Sequence, residues 1–225
     1  MSATGWFAIA VAGCALVAPT ASAQLAQQPA EKYIDAMNRL ERGIEQKIPE
    51  VIEKLRLKPG DIVADIGSGS GSFSIPMAKA IAPNGILYAV DIDQKMLDYV
   101  AERAKKEGVT NLRTVLGAND DPKLPVKDVD VAFFHRVLHM IEHRQAYLNA
   151  TATYLKPDGR IVVIDKNPDQ SRDWMWLKQS DVDNWMAAIA FYPAETFDVF
   201  TDRYFVSYQR PYGNSVLLKH PARKQ

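Results

Sequence analysis

The sequence predicts an α/β fold, a mostly parallel sheet with helices on both faces, and three observations lead there. Short apolar runs rich in Val and Ile alternate with helical stretches from residue 62 onward, the rhythm that lays crossover helices over a parallel sheet. The glycine-rich turn Gly67-Ser-Gly-Ser-Gly71 joins the first run to the first of these helices. Near the C-terminus, Arg210-Pro-Tyr-Gly-Asn214 is a turn signal between two strand-like runs, giving an antiparallel hairpin at the end of the chain.

Strands are expected at Ile62–Ile66, Ile86–Asp91, Leu112–Leu116, Val129–Phe134 and Arg160–Asp165, then at Arg203–Gln209 and Ser215–Lys219. Between them helices are expected at Phe73–Ala82, Gln94–Glu107 and His143–Leu155. Pro76 falls in the first turn of its helix, where a missing N–H is tolerated. Asp93 reads as the N-cap of the helix that begins at Gln94. Ahead of the sheet, Tyr33, Ile34, Met37, Leu40, Ile44 and Ile48 recur at three- and four-residue steps. Residues 31–57 therefore read as amphipathic helix in two segments broken near Pro49, preceded by a polar linker from Gln24. The stretch from Lys166 to Phe200 holds Trp174, Trp176, Trp185, Phe191, Tyr192 and Phe197, to be divided between core and an apolar substrate pocket.

The first 23 residues differ in kind. They carry no charged side chain, are apolar from Trp6 to Val17, and place Ala21 and Ala23 before Gln24, as a signal-peptidase site requires. An exported protein, periplasmic or secreted and cut after Ala23, is expected, although Met1 to Gly5 lacks the usual basic residue. Val11-Ala-Gly-Cys14 also resembles a lipoprotein box, which would leave Cys14 acylated. The apolar run falls short of the roughly 20 residues a membrane span needs. Cys14 is the single cysteine, so a chain cut after Ala23 has no thiol for a disulfide, a nucleophile or a thiolate metal site. Lys plus Arg equal Asp plus Glu at 27 each, so the net charge is zero and the basic footprint of a nucleic-acid binder is absent.

Chemistry concentrates on the first two strands. Asp65-Ile-Gly-Ser-Gly-Ser-Gly71 lets the backbone approach a ligand with no Cβ in the way, and the following helix turns its N–H groups to the same spot. The second strand ends in Asp91, about 20 residues beyond the last glycine, a spacing at which a carboxylate accepts from ribose hydroxyls. A dinucleotide and S-adenosyl-L-methionine (SAM) both fit so far. The dinucleotide fingerprint wants glycine at position 72, where this chain has serine. A pyrophosphate also gains nothing from the carboxylate of Asp65, whereas the ammonium and sulfonium of SAM do. The acid argues for SAM.

The runs Val63-Ala-Asp-Ile-Gly-Ser-Gly-Ser-Gly71, Ala89-Val-Asp-Ile-Asp93, Gly117-Ala-Asn-Asp-Asp-Pro122 and Leu155-Lys-Pro-Asp-Gly-Arg-Ile-Val-Val-Ile-Asp165 together resemble the class I SAM-dependent methyltransferases, over about half the chain. The resemblance implies a three-layer αβα sandwich around a seven-stranded, mostly parallel Rossmann-like sheet with an antiparallel C-terminal hairpin. It assigns Asp65, Gly67, Ser68, Gly69 and Gly71 to the methionine end of SAM and Asp91 to the ribose. Ile92 would lie against adenine, with Asn119 and Asp120 as candidates for its edge. It also implies a helical lid within residues 24–57, with Tyr33 near the sulfonium, ahead of a methyltransferase domain over 58–225.

His135, at the carboxyl end of the fourth strand, joins the cofactor-binding set and is the candidate general base, because imidazole can titrate near neutral pH. The competing reading makes it a pocket wall. His139 reads as a packed or capping residue; a His pair at this spacing can bind metal, but no third ligand accompanies it and none is expected. Within the family, the Asp-Asp-Pro run and the histidine resemble arsenite- and quinone-methyltransferase-like branches, and the missing cysteines reject arsenite. The expected activity is methylation of a small organic acceptor outside the cytoplasm. The alternative is a non-catalytic SAM- or nucleoside-binding protein on the same fold. A nicotinamide-dependent oxidoreductase is disfavoured by Asp65 and Ser72.

Overall fold

Strands covered on both faces must be apolar nearly throughout, and the runs Ile62–Ile66, Ile86–Asp91 and Val129–His135 are buried accordingly. In the computed structural model, which describes residues 47–168 and 176–211, these are β1, β2 and β4 of a seven-stranded sheet. The remaining strands are β3 (Leu112–Leu116), β5 (Leu155–Lys166), β6 (Tyr192–Thr196) and β7 (Arg203–Gln209). The order is β3-β2-β1-β4-β5-β7-β6; β7 runs antiparallel to β5 and to β6, and the other pairs are parallel. Strand order reverses between β1 and β4, so a crevice opens outside their carboxyl ends, where such sheets bind ligands.

Two cores lie on opposite faces. One gathers Val63, Leu87, Phe133, Ile164 and Phe205 under helices α1 (Ile48–Leu55), α2 (Ser74–Ala80) and α3 (Gln94–Lys106). The other packs Ile66, Phe134, Val163 and Tyr208 against α4 (Arg144–Ala152) and α5 (Gln179–Ala188). Asp93 caps α3 by accepting from the Lys95 N–H at 2.9 Å, as its position predicts. Pro49 sits in the first turn of α1, so it opens that segment. Arg160 donates to the Leu55 carbonyl, and Arg56 forms a two-pronged pair with Glu195, tying α1 to the far side of the sheet.

Three expectations change. Besides β5, β7 pairs antiparallel with Tyr192–Thr196, drawn from the aromatic stretch, while the expected strand Ser215–Lys219 lies outside the described residues. Strand β6 escapes sequence patterning because it is a mostly exposed edge strand containing Pro193, with a register shift before Glu195. The helix expected through Leu155 ends at Ala152, since Leu155 pairs with Val129 and begins β5. Residues 156–159 then bulge, and Gly159 passes so near the Val129 carbonyl that a Cβ would stand 2.8 Å from it. Helix α5 was not foreseen. The leader, Cys14, the linker and Tyr33 also lie outside the described residues.

Candidate functional site

The glycine loop leaves β1 at Ile66 and folds back on itself. Gly67 and Gly71 adopt φ of +68° and +79°, the left-handed region that side chains resist. Space enforces the same choice: a Cβ on Gly67 would lie 2.3 Å from Val137 Cγ2, and one on Gly71 3.1 Å from Val100. The Ser68 N–H donates to the Val90 carbonyl at 2.9 Å, so the loop is stitched to β2. Its Oγ is buried without a hydrogen-bond partner among the described residues.

Asp65 lies beneath this loop. Its residue is 3% exposed, and its carboxylate accepts a 2.5 Å hydrogen bond from Ser74 Oγ in the first turn of α2. Its negative charge therefore stands under the turn, and one of its tasks is to fasten the turn to the helix.

Asp91 closes the other side. One oxygen accepts from the Gly69 N–H and the other from the Asp93 N–H, both at 3.0 Å. A carboxylate has about four acceptor positions, so both oxygens retain capacity for ligand hydroxyls. Burial raises the pKa of this carboxyl, and the backbone N–H donors only partly offset that. Beside it, Ile92 and Leu116 at the ends of β2 and β3 are large apolar residues left 60% and 49% exposed. They provide an apolar surface for a flat ring. Asn119 and Asp120 are exposed in the loop after β3. The neighbouring Asp121 is occupied: it accepts from the Lys123 N–H and the Tyr154 hydroxyl. Leu116 was not foreseen; it becomes visible only once its pairing with Asp91 is known.

His135 sits at the end of β4 with its ring edge-on to Phe73 at 4.7 Å and parallel to Phe133 at 6.5 Å. Its Nε2 is buried without a hydrogen-bond partner among the described residues. Burial, then the charges of Arg136, Arg203 and His139, push its pKa well below the usual value of 6.5. The surroundings thus favour the neutral imidazole, against the expectation of titration near neutral pH. Because the folded value is depressed, this group supports stability above pH 6.5 that is lost as pH falls toward the folded value. His135→Phe should therefore flatten the fall in urea midpoint between pH 7 and pH 5. An unchanged slope would place the acid sensitivity elsewhere.

His139 is packed, as expected, but its partner was not foreseen. Its Nδ1 lies 3.0 Å from Asp165 Oδ2, with the side chains 7% and 0% exposed. The other Asp165 oxygen accepts from the Lys166 N–H at 2.8 Å. Trp176 meets the His139 ring edge-on at 4.5 Å, and Arg136 and Lys166 stand over the same indole at 5.5 and 5.1 Å. The only sequence signal was an acid ending the apolar run of β5.

A family model described as a methyltransferase domain matches residues 57–190, more than half of the chain. The chain belongs to this methyltransferase family. Among curated relatives, it is 30% identical over 118 residues to nocamycin O-methyltransferase of Saccharothrix syringae, covering 52% of this chain and 42% of that protein. It is 31% identical over 143 residues to the ubiquinone/menaquinone biosynthesis C-methyltransferase UbiE of Cupriavidus metallidurans, covering 60% and 56%. The chain thus spans about half the length of the curated relatives it matches. A solved SAM-dependent methyltransferase from Aquifex aeolicus superposes with a TM-score of 0.72 at 20% identity, over 82% of this chain and all of that one, which shows the shared fold. As a member of the class I SAM-dependent methyltransferases, the chain has SAM as its cofactor. The residues present are compatible with such a ligand: a turn that excludes Cβ atoms, a buried Ser68 hydroxyl with no hydrogen-bond partner among the described residues, and an Asp91 carboxylate with acceptor capacity remaining.

Proposed function

We propose that this methyltransferase-family chain methylates a small organic acceptor outside the cytoplasm. The observation that carries the reading is the coupling of the glycine turn to Asp91 through the Gly69 N–H, which sets a backbone cradle and a ribose-binding carboxylate side by side. In this reading Asp91 accepts from the ribose hydroxyls, Ile92 and Leu116 cover the adenine, and Asn119 or Asp120 meets its edge. The backbone of Gly67, Ser68, Gly69 and Gly71 receives the methionine end, with the charge of Asp65 beneath it favouring the ammonium.

When bound, SAM supplies an electrophilic methyl carbon on a sulfonium. The chain's task is to align an acceptor with that carbon and keep water away. Neutral His135, set between Phe73 and Phe133, forms part of the pocket wall in this reading. A small organic acceptor is supported by the zero net charge and by relatives named for nocamycin and for ubiquinone/menaquinone biosynthesis. Arsenite is unsupported, since Cys14 is the only cysteine. Export rests on the uncharged apolar leader and its Ala21/Ala23 site.

One experiment on the protein recovered from cells tests both parts. Mass spectrometry should find Gln24 as the first residue; an intact Met1 or a lipidated Cys14 would overturn cleavage after Ala23. Calorimetry of the same material should show binding of SAM and of its demethylated product. Tight NAD binding without SAM binding would remove the cofactor assignment.

A further inference from the structure

We propose that His139, positioned by Asp165, is the proton acceptor of the site, and that the methyl acceptor is a hydroxyl compound. The inference rests on the methyltransferase reading and adds the substrate class.

The two residues come from different strand ends. Asp165 closes β5, and His139 lies in the short 3₁₀ turn Leu138–Met140 after β4, so both stand at the carboxyl edge of the sheet beside the glycine turn. A buried carboxylate is costly unless matched, and here it is matched by the imidazole and by the Lys166 N–H. Hydrogen bonding of Nδ1 to Asp165 fixes the tautomer with the proton on Nδ1, leaving the Nε2 lone pair directed away from β5. No hydrogen bond to Nε2 is present among the described residues. Backbone contacts hold the turn rigid: Arg144 donates to the carbonyls of Leu138 and His139 at 3.0 and 2.8 Å.

His135 lacks these supports. Its ring is packed against aromatic rings, no carboxylate among the described residues is bonded to it, and the charges of Arg136 and Arg203 act on it. A proton arriving there would create an unmatched cation. A proton arriving on His139 creates an imidazolium facing Asp165.

The surroundings of His139 also suit the other product of proton removal. Arg136 from the end of β4 and Lys166 from the end of β5 flank Trp176, and among the described residues His135, Arg144, Arg203 and Tyr204 are further charged or titratable groups in this neighbourhood. Two cations close to a bound hydroxyl favour its ionised form. In the step itself the acceptor O–H bond breaks, the proton joins Nε2, and the electron pair stays on oxygen, which takes the methyl carbon. The sulfur keeps the pair of the broken C–S bond, and the imidazolium later returns its proton to solvent. An acceptor with no proton to lose, such as a thioether, would need none of this.

Two phenols of different acidity serve as probes, phenol and 4-nitrophenol at mildly alkaline pH, where the second is already ionised. His139→Gln and Asp165→Asn should each lower kcat for phenol by about 10²- to 10⁴-fold, with KM little changed. For 4-nitrophenol the loss should stay below about 10-fold, because no base is required. The wild-type pH profile with phenol should rise through one ionisation that shifts downward in Asp165→Asn and returns in Asp165→Glu. In the intact protein, ¹H–¹⁵N imidazole correlations should show His139 protonated on Nδ1, a readout independent of turnover and of whether the variants fold. A proton on Nε2 instead, equal losses with both phenols, or no methylation of either by protein that binds SAM would each overturn the proposal. Failure of the wild-type protein to bind SAM would instead overturn the reading beneath it.

Discussion

Replacing Gly67 by alanine is expected to destabilise the protein by about 2–5 kcal/mol, the largest loss from adding one methyl group at the site. Two effects add. At φ +68° an alanine is in the left-handed region, worth about 1–2 kcal/mol. Its Cβ would also stand 2.3 Å from Val137 Cγ2 and 2.7 Å from Val137 Cβ, forcing the β4 end and the glycine turn apart at a cost of about 1–3 kcal/mol. Against a total stability of about 5–15 kcal/mol, such a loss is severe. Urea unfolding checks it, and a double-mutant cycle with Val137→Ala separates the two effects. The cycle should return about 1–3 kcal/mol of favourable coupling, the steric share, and leave the conformational share in place. A single-mutant loss under about 0.5 kcal/mol would mean that the turn has room to move, contrary to the close contact described here.

Asp91→Ala should weaken SAM binding by about 1.5–3 kcal/mol, roughly 10- to 150-fold in Kd. The carboxylate is expected to accept charged hydrogen bonds from the ribose, and it also takes the Gly69 N–H, so its loss removes a ligand contact and releases the turn. The pH dependence has a definite sign. Ligand hydroxyls bond the ionised carboxylate, while burial favours the neutral form. Affinity should therefore fall on acidification, and at a higher pH than for an ordinary aspartate. Calorimetry across that range decides the matter, and an alanine variant with unchanged affinity would move the ribose elsewhere.

These two predictions also show what was legible in the sequence. The limits of β1 and β2 follow from apolar runs ending in glycine or aspartate, since strands buried on two faces leave little freedom in composition. The loop, its acid and Asp91 are local features with fixed spacing, so they could be named in advance. Helix α5 could not, because it buries Val182 and Met186 and presents polar residues elsewhere, a weak helical period. Strand β6 was hidden by an exposed, proline-containing edge. The pairing of His139 with Asp165 joins residues 26 apart in sequence through the register of two parallel strands, and periodicity carries no information about that. The position of His135 was legible, but its protonation was not, because burial between aromatic rings arises from the fold.

The irregular end of the sheet has a consequence for handling the protein. A free strand edge is a template on which another molecule can extend the sheet, and proteins guard such edges with prolines and bulges. On β6, Pro193 cannot donate and the ladder shifts register before Glu195. An incoming strand would meet a missing donor and a broken repeat within five residues. That flank resists intermolecular growth, which suits the concentrated samples that calorimetry and imidazole spectroscopy require.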